Sequence, residues 1–141
     1  MRIASFVRVS VVAACVLVST ACDSITQPGG DFEGTYILSQ VDGHSLPAIE
    51  YEDDYEQGEY VAGVITLLED GDWTASTTYR VITKSNGRTR TEMSSAQGIY
   101  SLVGSRIRLE SGVSAEIYND RLELTQTVNY SERVLTYRKA R

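Results

Sequence analysis

From Trp73 to Thr83 the chain alternates strictly, with Trp73, Ala75, Thr77, Tyr79 and Val81 on one face. A period of two belongs to a pleated strand, and a helix would scatter those side chains around its axis. A strand of this kind has one face to bury, so it needs neighbours beside it and a core in front. The rest of the chain from Phe32 onward repeats the theme. Strand-like runs cover Thr35–Val41, Tyr60–Leu68, Arg88–Gln97 leading into Gly98–Leu102, Ser105–Glu110, Ala115–Tyr118, Leu122 with Leu124, and Val134–Arg138. Turn signals separate them: Asp42-Gly43, Asp70-Gly71-Asp72, Asn86-Gly87, Gly104, Ser111-Gly112 and Asn119-Asp120. Pro is absent after Pro47, and no segment has a helical period of useful length. The expectation is an all-β fold, an antiparallel meander closed as a small barrel of about eight strands, or folded as a sandwich. Closure would remove the sheet edges.

The first residues follow different rules. Arg2 and Arg8 precede Val9–Val18, an apolar run that ends in Ser19-Thr-Ala-Cys22. A basic start, a short apolar segment and small residues form an export signal, too short to be a spanning helix. The Ser-Thr-Ala-Cys junction resembles the lipobox of bacterial lipoproteins, in which cleavage precedes a cysteine that becomes lipidated. The resemblance implies a signal peptide at 1–21, lipid on Cys22 and a location in the bacterial cell envelope, facing the periplasm or cell surface. Two or more acyl chains make such attachment durable. Ser19 stands where the family prefers Leu. Two alternatives stay open: Val12-Ala-Ala-Cys15 also fits the lipobox letters, and a soluble secretory signal needs no lipid. Asp23–Asp31, with Pro28, Gly29 and Gly30, reads as a flexible tether, which makes 22–31 the lipidated cysteine and linker. It reaches at most about 30 Å. Residues 32–141 then form one barrel domain.

Charge narrows the partners. Loss of 1–21 removes Arg2 and Arg8 and moves the formal charge from −6 to −8. Nucleic acid needs clustered Lys and Arg, so it is not an expected partner. With Cys15 removed and Cys22 acylated, no internal disulfide is available. One histidine, His44, and no further cysteine make zinc, haem and iron–sulfur sites improbable, and no cofactor is expected. Ser45 and Asp42 flank His44, but neighbours in one turn do not form a nucleophile–base–orienter array. No nucleophile elbow, phosphate loop or dinucleotide fingerprint appears, and catalysis is not expected.

Gly34-Thr-Tyr-Ile-Leu through Gly43-His-Ser-Leu-Pro47 resembles the opening of small bacterial lipocalin-like lipoproteins. Gly98-Ile-Tyr100 to Ile107-Arg-Leu109, and Leu135-Thr-Tyr-Arg138, agree with it. The resemblance implies a lipocalin-like barrel more than an activity. Two features invite a binding role. Tyr36, Trp73, Tyr79, Tyr100 and Tyr137 fall in or beside strands, where they either fill the core or line a cavity for a small apolar ligand. Glu50–Glu59 holds six carboxylates interleaved with Tyr51 and Tyr55. It reads as a solvated acidic loop that guards an edge, with Glu52, Asp53, Asp54 and Glu56 as a weak divalent-cation candidate. As a Tyr-rich surface, the same loop could instead meet an envelope protein in a structural or interaction role.

Overall fold

A computed structural model describes residues 31–128 and 130–141. Cys15, Cys22, the signal segment and almost all of the tether lie outside the described residues. The chain forms ten strands: β1 (Gly34–Val41), β2 (His44–Ser45), β3 (Ala48–Glu52), β4 (Glu56–Leu67), β5 (Asp72–Thr83), β6 (Thr89–Val103), β7 (Arg106–Leu109), β8 (Ser114–Tyr118), β9 (Arg121–Val128) and β10 (Ser131–Lys139). All are antiparallel, in the order β2-β1-β10-β9-β8-β7-β6-β5-β4-β3, and an extra β1–β4 pairing closes the ring. The result is an eight-stranded barrel, β1 and β4 to β10, with β2 and β3 as additions.

The additions explain themselves at the closure. Gly34–Ile37 of β1 pairs with Val64–Leu67 of β4. Beyond that point the two strands part, and β2 takes the free half of β1 while β3 takes the free half of β4. The short β2–β3 link, Leu46-Pro47, bridges the gap and leaves fewer backbone groups unpaired. Asp42 and Gly43 both hold positive φ, 51° and 79°, the requirement of a tight two-residue hairpin. Asn86-Gly87 makes the β5–β6 turn, with the Gly87 N–H donating to the Thr83 carbonyl at 2.8 Å.

Alternation packs the interior. Tyr36, Leu38, Ile65, Leu67, Trp73, Leu102, Ile107, Leu109, Leu122, Leu124, Leu135 and Tyr137 form one buried cluster. Tyr36 and Tyr100 seal the end that carries the β4–β5 turn. The Tyr100 hydroxyl donates to the Leu68 carbonyl at 2.7 Å, the Tyr36 hydroxyl to the Phe32 carbonyl, and the Phe32 ring meets Tyr100 edge-on.

One expectation needs revision. Glu50–Glu59 is mostly strand: β3 runs to Glu52, β4 starts at Glu56, and only Asp53–Tyr55 turns. Three of its six carboxylates are matched by cations from β5, the β5–β6 turn and β6. Arg80 lies opposite Glu59 and donates to it through Nε at 2.9 Å; Lys84 and Arg90 reach Glu52 and Glu56 at 2.8 and 2.6 Å.

Candidate functional site

The barrel is open beside β6. From Thr89 to Gly98 this strand pairs with β5 alone; the Glu110 N–H reaches the Ile99 carbonyl at 3.0 Å, and β7 joins from Tyr100. Thr89–Gln97 is exposed along its whole length, Met93 by 72%. Register with β5 places Ser94 opposite Thr77 and Ala96 opposite Ala75, two small side chains on the inner face. A missing neighbour and small residues together leave space.

That space is a cavity of about 270 Å³ inside the barrel. Ile65, Ala75, Leu109, Val113, Leu124 and Leu135 supply its apolar wall. Thr77, Tyr79, Ser94, Gln126 and Tyr137 add polar tips. The volume lies just under the ~300–1,000 Å³ usual for ligand pockets, and matches about nine water-sized groups. Hollows of 530 and 550 Å³ also mark the outer surface, one beneath β8–β10 and one around His44 and Arg133. Polar and charged residues dominate the first. Of these three hollows among the described residues, the interior cavity combines an apolar wall with several hydroxyls.

The hydroxyls are organised from behind. Gln126 Nε2 donates to the Tyr60 hydroxyl at 2.9 Å. The Tyr60 and Tyr79 rings lie 5.1 Å apart, tilted by 47°. Burial holds both phenols in the neutral form, Tyr60 most strongly, and it pushes Tyr137 up to about 12. Burial also raises the Glu50 carboxyl above the usual glutamate range, against the opposing pull of Tyr60 and Arg133. Trp73 is buried, and its indole N–H has no partner; it faces Gly98, where a Cβ would come within 3.1 Å of Nε1.

Of the five aromatic candidates, Trp73, Tyr79 and Tyr137 line the cavity. Tyr36 and Tyr100 lie below it with their hydroxyls bonded to backbone carbonyls. The four acidic candidates are spread apart. Glu52 and Glu56 face Lys84 and Arg90, Asp53 Oδ1 accepts the Tyr55 and Glu56 N–H groups at 2.7 Å, and Asp54 is exposed. Among the described residues no group of three or more His, Cys, Asp or Glu is placed to hold a metal ion. Of the tyrosines along this segment, Tyr55 is 77% exposed, Tyr51 lies over Gly58 and Tyr60 is fully buried. Gln126 and Leu124 were not singled out from sequence as cavity residues. The β9 alternation Leu122, Leu124, Gln126 carries a signal for both.

Fold and cavity define the class: a small lipocalin-like antiparallel barrel with a hollow reached from its open side. Among known proteins, no family model, no curated sequence and no solved structure matches the chain.

Proposed function

We propose that this is a lipid-anchored envelope protein whose barrel binds a small, largely apolar ligand without catalysing a reaction. The observation that carries the reading is the interior cavity, with Trp73, Tyr79 and Tyr137 in a wall of Leu, Ile and Ala side chains. A fully packed interior with an exposed tyrosine patch would favour an interaction protein instead. Here the interior holds about 270 Å³, Tyr51 packs over Gly58 and Tyr60 is fully buried. An apolar body gains from leaving water, and each hydroxyl tip rewards a matching polar atom. The anchor part rests on the Ser19–Cys22 junction and the tether after it. Mass spectrometry of the natively purified protein tests both parts. The expected result is a chain starting at Cys22 with the added mass of acyl groups, together with a co-purifying small molecule. A soluble, unmodified chain would refute the anchor, and a protein that never carries a small molecule would count against carriage.

A further inference from the structure

We propose that the free edge of β6 pairs with β6 of a second copy of this chain, antiparallel and centred on Met93, so that two barrels share one sheet. The proposal is independent of the carrier reading. From Thr89 to Gly98 the edge of β6 away from β5 has no strand beside it. Thr89 to Gln97 are exposed on both faces, so no described residue covers that edge. The two end strands of the sheet manage their edges differently. β2 is only two residues long, and β3 carries a register break between Ile49 and Tyr51 beside the charges of Glu50 and Glu52. The β6 edge has none of these devices. Its pairing with β5 runs from Asp72–Ile99 to Ile82–Thr89 without a register shift, and Thr89–Gln97 contains neither Pro nor Lys. A long, regular, uncovered edge is a template for another strand.

The phase of the β5–β6 ladder says which groups that template offers. At its two ends the Thr83 N–H donates to the Arg88 carbonyl and the Tyr100 N–H to the Gly71 carbonyl, both at 2.8 Å. Even-numbered residues of β6 therefore bond to β5, and odd-numbered ones turn N–H and C=O to the other side. The Ile99 carbonyl fits that phase, since it accepts the Glu110 N–H from the far side. Thr89, Thr91, Met93, Ser95 and Gln97 then present five N–H and five C=O groups without a strand to meet them. The set is symmetric about Met93, which points to a second copy as the occupant. A two-fold pairing centred there sets Thr89 against Gln97, Thr91 against Ser95 and Met93 against its counterpart. All five N–H groups of each chain find a carbonyl, and the exposed Met93 side chains meet across the axis. Charges permit this register, because Arg90 falls opposite Ala96 and Glu92 opposite Ser94. One step toward Glu92 would place that carboxylate against its own copy, which is unfavourable. One step toward Ser94 would set Thr89 against Ile99, whose carbonyl is already taken.

Sedimentation velocity of the full chain in mild detergent, over a concentration series, reads the oligomer, and a reversible dimer is expected. Ser95→Pro tests the edge. The Ser95 N–H takes no part in the β5 ladder, so proline removes an outward donor and fills the edge with its ring while that ladder stays whole. Dimer affinity should fall at least about tenfold, with thermal melts showing that the variant is folded. Residue-resolved hydrogen exchange on the native sequence, dilute against concentrated, supplies an arm that does not depend on how the variant folds. The amides of Thr89, Thr91, Met93, Ser95 and Gln97 should gain protection with concentration. Those of Arg90, Glu92, Ser94 and Ala96, already bonded to β5, should change little. A chain that stays monomeric at every concentration overturns the proposal and leaves the edge to a different partner. A dimer in which the five outward amides stay unprotected, or a folded Ser95→Pro that dimerises as tightly as the native chain, overturns it as well.

Discussion

Glu50 shows how the burial of a single carboxyl weighs on stability. Its folded-state pKa is raised, so the fold prefers the protonated acid. The contribution is fully present below the unfolded-state pKa and is lost as pH rises through the folded value. Glu50→Gln should therefore raise Tm at neutral pH, and the gain should shrink to nothing in acid; a thermal melt series across pH checks it. Asp42 behaves oppositely. The Val134 N–H and the Arg133 guanidinium lower its pKa against the cost of burial, so its contribution is present at neutral pH and lost as pH falls through that lowered value. Gly58 offers a steric test. A Cβ there would lie 2.2 Å from the Tyr51 ring, so Gly58→Ala should cost roughly 1–3 kcal/mol in denaturant melts. In a Tyr51→Ala background most of that added cost should vanish, because the two sites interact directly. Sequence alone marked the tyrosines but could not divide them. Tyr36 and Tyr79 occupy similar strand positions, and only their depth in the barrel decides whether a hydroxyl meets a backbone carbonyl or an open cavity.

Strands were legible wherever alternation and turn chemistry agreed. Trp73–Thr83 became β5 with its inner face as read, and Asp42-Gly43, Asp70-Gly71 and Asn86-Gly87 all turn. β3 was hidden because Glu50, Glu52, Asp53 and Asp54 read as solvated charge. The cations that pair with two carboxylates of this segment lie more than thirty residues away: Lys84 for Glu52 and Arg90 for Glu56. No local pattern announces a partner at that distance. The meander itself left barrel and sandwich open, since the choice depends on four residue pairs between β1 and β4. That seam is thin, and Thr35 Oγ1 meets Thr66 Oγ1 across it at 3.2 Å. Thr66→Pro removes a backbone donor and a side-chain bond at the seam, with an expected loss of about 3 kcal/mol or more in chemical denaturation. Gly87→Ala should cost only about 1 kcal/mol, as its φ of 66° is strained for alanine while no atom lies within 4 Å of the new Cβ.

At the scale of the molecule, an almost closed barrel does two jobs at once. Ring closure through β1 and β4 gives the domain a continuous hydrogen-bonded sheet. Incomplete pairing along β6 leaves a side entrance to the interior. The cavity was legible only as an option in the sequence, because its volume depends on small side chains, Ala75, Ser94 and Ala96, that two strands bring together. Such residues look unremarkable in a row of letters. The same arrangement supplies a direct control: a ring in place of Ala75 would occupy the space while leaving the outer surface intact. The decisive measurement is a titration of 1-octanol followed by Trp73 fluorescence in the native sequence and in Ala75→Phe, with thermal melts showing that both are folded. A binding cavity predicts saturable change in the native protein and at least a tenfold loss of affinity in the variant, from roughly 1–3 kcal/mol of overpacking. No saturable change in the native protein, or equal binding by a folded Ala75→Phe, would contradict the account.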